Sequence, residues 1–299
     1  MSTSITAAFI TQYERDVHDI FQRQGSVLKP TVRFRTGVKG SSAVFQKIAK
    51  GAATTKARHG TITPMNQTHT SHTATLEDFY AGDWVDRLDE AKINIEERRA
   101  IARGGAWALG RKVDDQILTL LDATTQTTVT MTTTSYANVR NHFIKLVGDL
   151  MRLDSYEPGM MYGVVSPVTW ERMAGIPEFS SSDYVDASGR PFTSSAPYLT
   201  FKKWLNVVWT VHSGIPGIGT SASKHFVWNK NSLAYASGAH PANLAARGAN
   251  ESGVGADITW HGDRAAHFIN HAMSGGGVVI DDTGIIEGQT NDTLALATT

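Results

Sequence analysis

The sequence predicts an α+β chain. Two apolar stripes at helical spacing, over residues 94–122 and from residue 135 to 150, occupy the first half. Short alternating or continuous apolar runs take over after residue 160 and dominate the C-terminus. Residues 31–76 are rich in Thr, Ser, Gly and Lys, with too little apolar content to build a core of their own.

Taken in order, residues 5–22 read as a short amphipathic helix, with Ile5, Phe9, Tyr13, Val17 and Ile20 at spacings of four and three. A break follows at 25–30. Within 31–76 the β-like runs 31–35 and 42–48, divided by turn signals at Gly37, Gly40 and Gly51, read as an extended two-stranded arm that must lie on something else. The helix over 94–122 carries Asn94 as cap and Glu97 as its capping-box partner. Its stripe is Ala102, Ala106, Leu109, Val113, Ile117 and Leu120, and its length of roughly 42 Å suits a strut. Gly104 and Gly105 inside it each cost up to ~1 kcal/mol against Ala and so mark a bend or a close packing contact.

Eight Thr among the eleven residues 124–134 disfavour helix and predict an extended linker. A second helix then starts at Ser135, with Val139, Phe143, Leu146 and Leu150 on its apolar face. A buried strand over 160–165, a short helix over 168–174 and a loop over 175–200 follow. Residues 204–211 alternate as one strand, with Leu205, Val207, Trp209 and Val211 on one face. Beyond the loop 213–223, strands are expected at 225–229, 258–260 and 265–272. Residues 277–280 and 285–287 read as a hairpin turning at 281–284, before a loose tail from 288.

The 299 residues carry 28 Lys plus Arg and 28 Asp plus Glu. That zero is the sum of two opposed parts. Residues 20–76 hold nine cations, Arg23, Lys29, Arg33, Arg35, Lys39, Lys47, Lys50, Lys56 and Arg58, and no acid. Acid is densest just after them, at Glu77, Asp78, Asp83, Asp86, Asp89, Glu90, Glu96 and Glu97, and again at the C-terminus. Such asymmetry marks an interaction arm. The balanced total argues against a protein built to grip nucleic acid phosphates. With 41% hydrophobic residues the chain is not wholly disordered, and without Cys it has no disulfide, thiolate metal site or cysteine nucleophile. The N-terminus has no secretory pattern, and no run approaches the roughly 18 apolar residues of a membrane span, so a soluble protein made in a cytoplasm is expected.

Catalytic signatures are absent: there is no phosphate loop, no nucleophile elbow and no H-E-x-x-H. His261, Asp263, His267 and His271 are all metal-ligand types. In a strand, however, His267 and His271 stand roughly 13 Å apart, too far to share one ion. Asp114 and Asp115 are adjacent and point in different directions on a helix, which disfavours a carboxylate pair. Trp204, Trp209, Trp228 and Trp260 fall in strands, where core packing is the simpler role than a ligand groove.

The element order, together with the opening MSTSITAAFITQYE, the segment TLEDFYAGDWVDRLDEAKINIEE, the helix string ALGRKVDDQIL and the late run ITWHGDRAAHFINHAMSGGGVVIDDTGIIEG, resembles the major capsid proteins of tailed bacteriophages with the Hong Kong 97-type fold. The resemblance spans nearly the whole chain. It implies an N-terminal arm over 1–30 and an E-loop hairpin over 31–78. It implies a P-domain over 79–134 and 240–299, with its spine helix at about 94–122, and an A-domain over 135–239. The implied function is self-assembly into hexamers and pentamers of an icosahedral head enclosing dsDNA, with the virion as location after assembly in the host cytoplasm. Implied partners are other copies of the chain, a separate scaffolding protein, a portal, a decoration or cement protein, and DNA held without sequence specificity; no cofactor, membrane or enzymatic activity is implied. On this reading the basic arm (Arg33, Arg35, Lys39, Lys47, Lys50, Lys56, Arg58) meets an acidic surface of the next subunit, with Glu77, Asp78, Asp83, Asp86, Asp89 and Glu90 as candidates. Two alternatives stand beside it: an encapsulin-like cellular nanocompartment shell, and a metal-dependent enzyme using the 261–271 histidines.

Overall fold

The computed structural model describes residues 25–86, 97–131, 135–180, 202–239 and 255–294. The expected helix over 5–22, the Asn94 cap and most of the 175–200 loop lie outside them. In chain order the elements are β1 (Arg33–Val38), β2 (Ser42–Ile48), β3 (His69–Thr75), β4 (Glu77–Asp86), α1 (Glu97–Asp122), β5 (Val129–Thr130), α2 (Tyr136–Arg152), β6 (Met161–Val165), α3 (Pro167–Ala174), α4 (Pro177–Ser180), β7 (Lys202–Trp204), β8 (Val207–Val211), β9 (Ser223–Asn229), β10 (Leu233–Gly238), β11 (Gly255–His261), β12 (Ala266–Val279) and β13 (Ile285–Thr290). They fall into two compact units, one of residues 1–25, 78–111 and 240–273, the other of 26–77, 112–239 and 274–299.

The larger unit is built on a six-stranded mixed sheet in the order β5-β13-β9-β6-β8-β7. Helix α2 covers it because its stripe of Val139, Phe143, Leu146, Val147 and Leu150 is fully buried against Met161, Val165 and Trp209. Strand β6 lies between β8, parallel, and β9, antiparallel, so its continuous apolar run is buried on both faces. Gly163 in that strand is required by its neighbour: a Cβ there would stand 2.5 Å from Trp209 Cε3. Helix α3 starts where Pro167 takes the first position and the Ser166 hydroxyl accepts from the Thr169 amide at 3.1 Å. Trp209 and Trp228 are core residues, Trp204 is partly buried, and Trp260 is 45% exposed.

Four expectations need correction. Residues 204–211 are two strands, not one: Leu205 and Asn206 both take positive φ (53° and 59°), the two-residue turn that joins β7 to β8. Apolar alternation runs on through that turn, so periodicity alone hides it. The supposed hairpin at 277–287 does not exist. β12 pairs with β10 and β11, whereas β13 pairs with β9 and β5. The turn at 281–284 instead changes sheets. The Thr-rich segment is extended, but it is more than the linker expected. Val129 and Met131 are buried, β5 runs parallel to β13, and the Thr124 and Thr125 hydroxyls donate to Asp282 at 2.8 and 2.5 Å. Finally, the 31–35 run is no half of the arm, because β1 lies parallel on β10.

In the smaller unit β11 pairs antiparallel with β12, from Gly255 opposite Ala272 to His261 opposite Ala266, and β4 also pairs β12. Gly105 is the close contact that its helical position announced. A Cβ there would meet the His271 ring at 2.5 Å, whereas Gly104 faces open space.

A buried histidine pair joins α2 to the large sheet, with His142 Nε2 and His225 Nε2 2.7 Å apart. A proton on one Nε2 can be accepted by the other, and burial favours the neutral form of both rings. Burial, with Lys145 adding repulsion, pushes His142 from 6.5 down to about 4. Burial and then His142 push His225 well below its ordinary value. The unfolded chain therefore takes up protons that the folded lobe refuses. Stability is expected to be flat above pH 6.5 and to fall as the pH drops from there towards about 4. Thermal unfolding against pH reads this directly, and His142→Gln should reduce the slope.

Candidate assembly interface

The arm is an antiparallel hairpin of β2 and β3, in register from Ser42 opposite Thr75 to Ile48 opposite His69. Its two ends differ. Near the root Ala43, Phe45 and Ala74 are buried against Ala234, Ala236 and Ile280. Close approach is possible because Gly276 leaves room where a Cβ would collide with the Thr75 carbonyl. Toward the tip every residue from 49 to 68 is exposed. Ile48, Ile62 and Met65 are 56%, 76% and 50% exposed, so apolar surface is presented to solvent there.

The entry to the arm is fixed by a carboxylate. Asp114, fully buried on α1, accepts from the Val27 and Leu28 amides at 3.0 Å each and from the Ser26 hydroxyl at 2.5 Å. His212 Nε2 lies 3.3 Å away. Burial by itself raises the Asp114 pKa, but hydrogen bonds from His212, Ser26 and the two amides outweigh it and hold the group below its ordinary value. Just beyond, the Trp228 indole donates to the Thr31 carbonyl at 3.1 Å, and Leu28 and Val32 are buried. The sequence reading set Asp114 aside as half of a poor carboxylate pair. Its anchoring role has no local signal, because its partners lie 86 to 88 residues away.

The arm cations divide. Lys47 pairs with Asp281 at 2.9 Å and Lys50 with Asp154 at 3.1 Å, both within the chain. Burial raises the Asp281 pKa, and Lys47 and Thr283 more than reverse that. Arg33 and Arg35 are exposed on β1, with the Arg33 guanidinium 5.9 Å from the Phe45 ring centre. Lys39, Lys56 and Arg58 are exposed and make no ion pair among the described residues. Of the acidic candidates, Glu77, Asp78, Asp83 and Asp86 are exposed on β4, while Asp89 and Glu90 lie outside the described residues.

The histidines near 267 do not converge. His261 meets the edge of Trp84 (5.0 Å), His267 lies tilted against Trp260 (4.8 Å) and His271 is buried beside Gly105, its Nδ1 3.3 Å from the Ala81 carbonyl. Among the described residues no group of three or more His, Asp or Glu is placed to hold a metal.

The phage capsid protein family model matches residues 5–291. Solved structures agree in fold. One from Mycobacterium phage Che8 has a TM-score of 0.67 at 16% identity, covering 95% of this chain and 97% of its own. The capsid of cyanophage P-SCSP1u has 0.68 at 12%, covering 97% and 95%. The capsid of the native GTA particle has 0.66 at 10%, covering 97% and 99%. No curated protein matches the sequence.

Replacing Asp114 by Ala leaves two buried amides without an acceptor and is expected to cost about 3 kcal/mol. Chemical denaturation measures that loss, and limited proteolysis should show earlier cleavage between residues 25 and 48. Because the folded pKa is lowered, the Asp114 contribution is full above the ordinary carboxylate value of 3.8 and is lost as the pH falls below it.

Proposed function

The chain belongs to the phage capsid protein family, and on that premise we propose that its subunits close into hexamers and pentamers by laying the arm across the next copy. The observation that carries this reading is the hairpin tip, with residues 49–68 exposed and three large apolar side chains unburied. A two-stranded ribbon of this kind is marginal in water by itself. Placed on another copy it makes a head-to-tail contact, and such contacts close into rings.

Magnitudes decide which groups supply affinity. Fully burying one Ile or Met contributes about 1.5–3 kcal/mol, whereas an exposed ion pair contributes about 0–1. Ile48, Ile62 and Met65 therefore supply the affinity. Arg33, Arg35, Lys39, Lys56 and Arg58 orient the encounter with Glu77, Asp78, Asp83 and Asp86 and speed it. Lys47 and Lys50 hold the arm to its own subunit rather than to the neighbour.

In this assignment residues 1–30 are the N-arm, 31–78 the E-loop, 79–134 with 240–299 the P-domain, and 135–239 the A-domain. A separate scaffolding protein and a portal guide assembly, a decoration protein covers the outside, and dsDNA lies inside without sequence-specific contact. The subunit has no catalytic role.

Negative-stain microscopy of the purified protein is expected to show shells, rings or tubes. Monomers at every concentration and salt would contradict the reading, and shells filled with protein cargo and no nucleic acid would move it to a cellular compartment. Two further outcomes separate the contributions. Raising ionic strength should slow assembly, and Ile62→Ser with Met65→Ser should lower the final yield while the monomer stays folded.

A further inference from the structure

We propose that β1 is an open sheet edge on which β4 of a second copy docks as an added strand. The inference rests on the capsid-subunit reading and names the surfaces that such subunits join. β1 bonds β10 on one side, from Arg33 opposite Ala234 to Arg35 opposite Ala236 and, after a register shift at Thr36–Gly37, at Val38 opposite Gly238, and it has no strand on its other side among the described residues. Arg33, Arg35, Thr36 and Gly37 are all exposed there. An unpaired edge of this kind is a template for another strand, and its side chains choose which one.

The choice here is anionic. Arg33 and Arg35 are two residues apart, so they share one face at about 6.6 Å spacing. Two clefts adjoin them, of about 460 and 540 Å³. One is lined by Lys29, Arg33 and Lys230, the other by Arg33 and Arg35, and among the described residues no carboxylate lines either. Like charges placed opposite one another destabilise a strand pair, so two copies of β1 repel each other. A nucleobase finds no stacking platform, because the Phe34 ring is already stacked on Tyr235 at 5.7 Å and carries Lys29 Nζ at 4.3 Å.

β4 offers the complement. It is ten residues long, bonds only β12 among the described residues, and exposes Glu77, Asp78, Asp83 and Asp86. Asp78 and Asp86 fall on one face of the strand and Glu77 and Asp83 on the other, so either face meets an arginine. Each copy carries one basic and one acidic edge. Their union is therefore head-to-tail and repeats from copy to copy, rather than closing after two.

The chain contains no Cys, which makes disulfide trapping clean. Single variants Thr36→Cys on β1 and Asp78→Cys, Tyr80→Cys or Trp84→Cys on β4 are mixed pairwise, assembled and oxidised. A dimer is expected from Thr36→Cys with at least one β4 variant, and none from Thr36→Cys alone. Dimers from Thr36→Cys alone would mean that β1 pairs with itself and would overturn the proposal. Shells that form normally but trap no mixed dimer would overturn it while leaving the capsid reading intact. Failure of the unmodified protein to form any shell overturns both. Independently, Arg33→Glu with Arg35→Glu should abolish shells, and adding Asp78→Lys and Asp83→Lys to the same chain, which swaps the charges at every β1–β4 contact, should restore them. Normal shell yield from the Arg33→Glu/Arg35→Glu variant, with less packaged DNA, would hand this edge to nucleic acid and sink the proposal.

Discussion

The Asp114 carboxylate gathers the Ser26 hydroxyl, the Val27 and Leu28 amides and the His212 ring at the point where the arm leaves the body. Burying a charge is expensive unless donors replace its lost water. Here they do, and burial alone would have raised the pKa that these donors lower. The return is position. With residues 26–28 held, the 3-10 turn at Lys29–Thr31 starts from a fixed place, β1 meets β10 with Arg33 opposite Ala234, and the hairpin follows from there.

From that root the arm changes character. Ala43, Phe45 and Ala74 behave as core residues because β10 and Ile280 lie beneath them. Twenty residues later the same ribbon has no floor among the described residues. The ion pairs of Lys47 with Asp281 and Lys50 with Asp154 sit at this transition. They are half-exposed or exposed and so contribute little to stability. Their effect is to set where the rigid part ends and the presented part begins. The large sheet with α2 is the counterweight: a buried core around Phe143, Trp209 and the His142–His225 pair.

Much of this was legible in the sequence where one physical signal acted alone. The α1 and α2 stripes, the β6 run ended by Pro167 and the extended arm all came from local periodicity or local poverty of apolar residues. Gly105 announced a close contact because a helix tolerates Gly only for a reason, and the reason is the His271 ring. The errors share a cause too. Val207 and Trp209 continue an alternation that crosses a two-residue turn. Val129 and Met131 hide in a Thr-rich run whose order comes from β13 and Asp282. The β12-to-β13 segment has hairpin residues but changes sheets. In the last two cases the deciding partner lies tens of residues away or more, whereas β7 and β8 pair across a turn that their own alternation masks; in none of the three does local periodicity show the pairing. The same holds for Asp114, whose neighbour Asp115 drew attention while its real partners stood at residues 26–28. Family likeness supplied the function that chemistry-bearing motifs did not, because a shell subunit works through surfaces spread along the chain.

The central claim is that the distal arm exists for another subunit and not for its own. The most direct measurement replaces residues 49–68 with an Asn-Gly turn, keeping β2 and β3 in their register, and compares thermal unfolding and sedimentation with the full chain. The account predicts an unchanged unfolding midpoint and a complete loss of rings and shells. Shells of normal yield from the shortened chain, or a monomer that unfolds when the tip is removed, would contradict it.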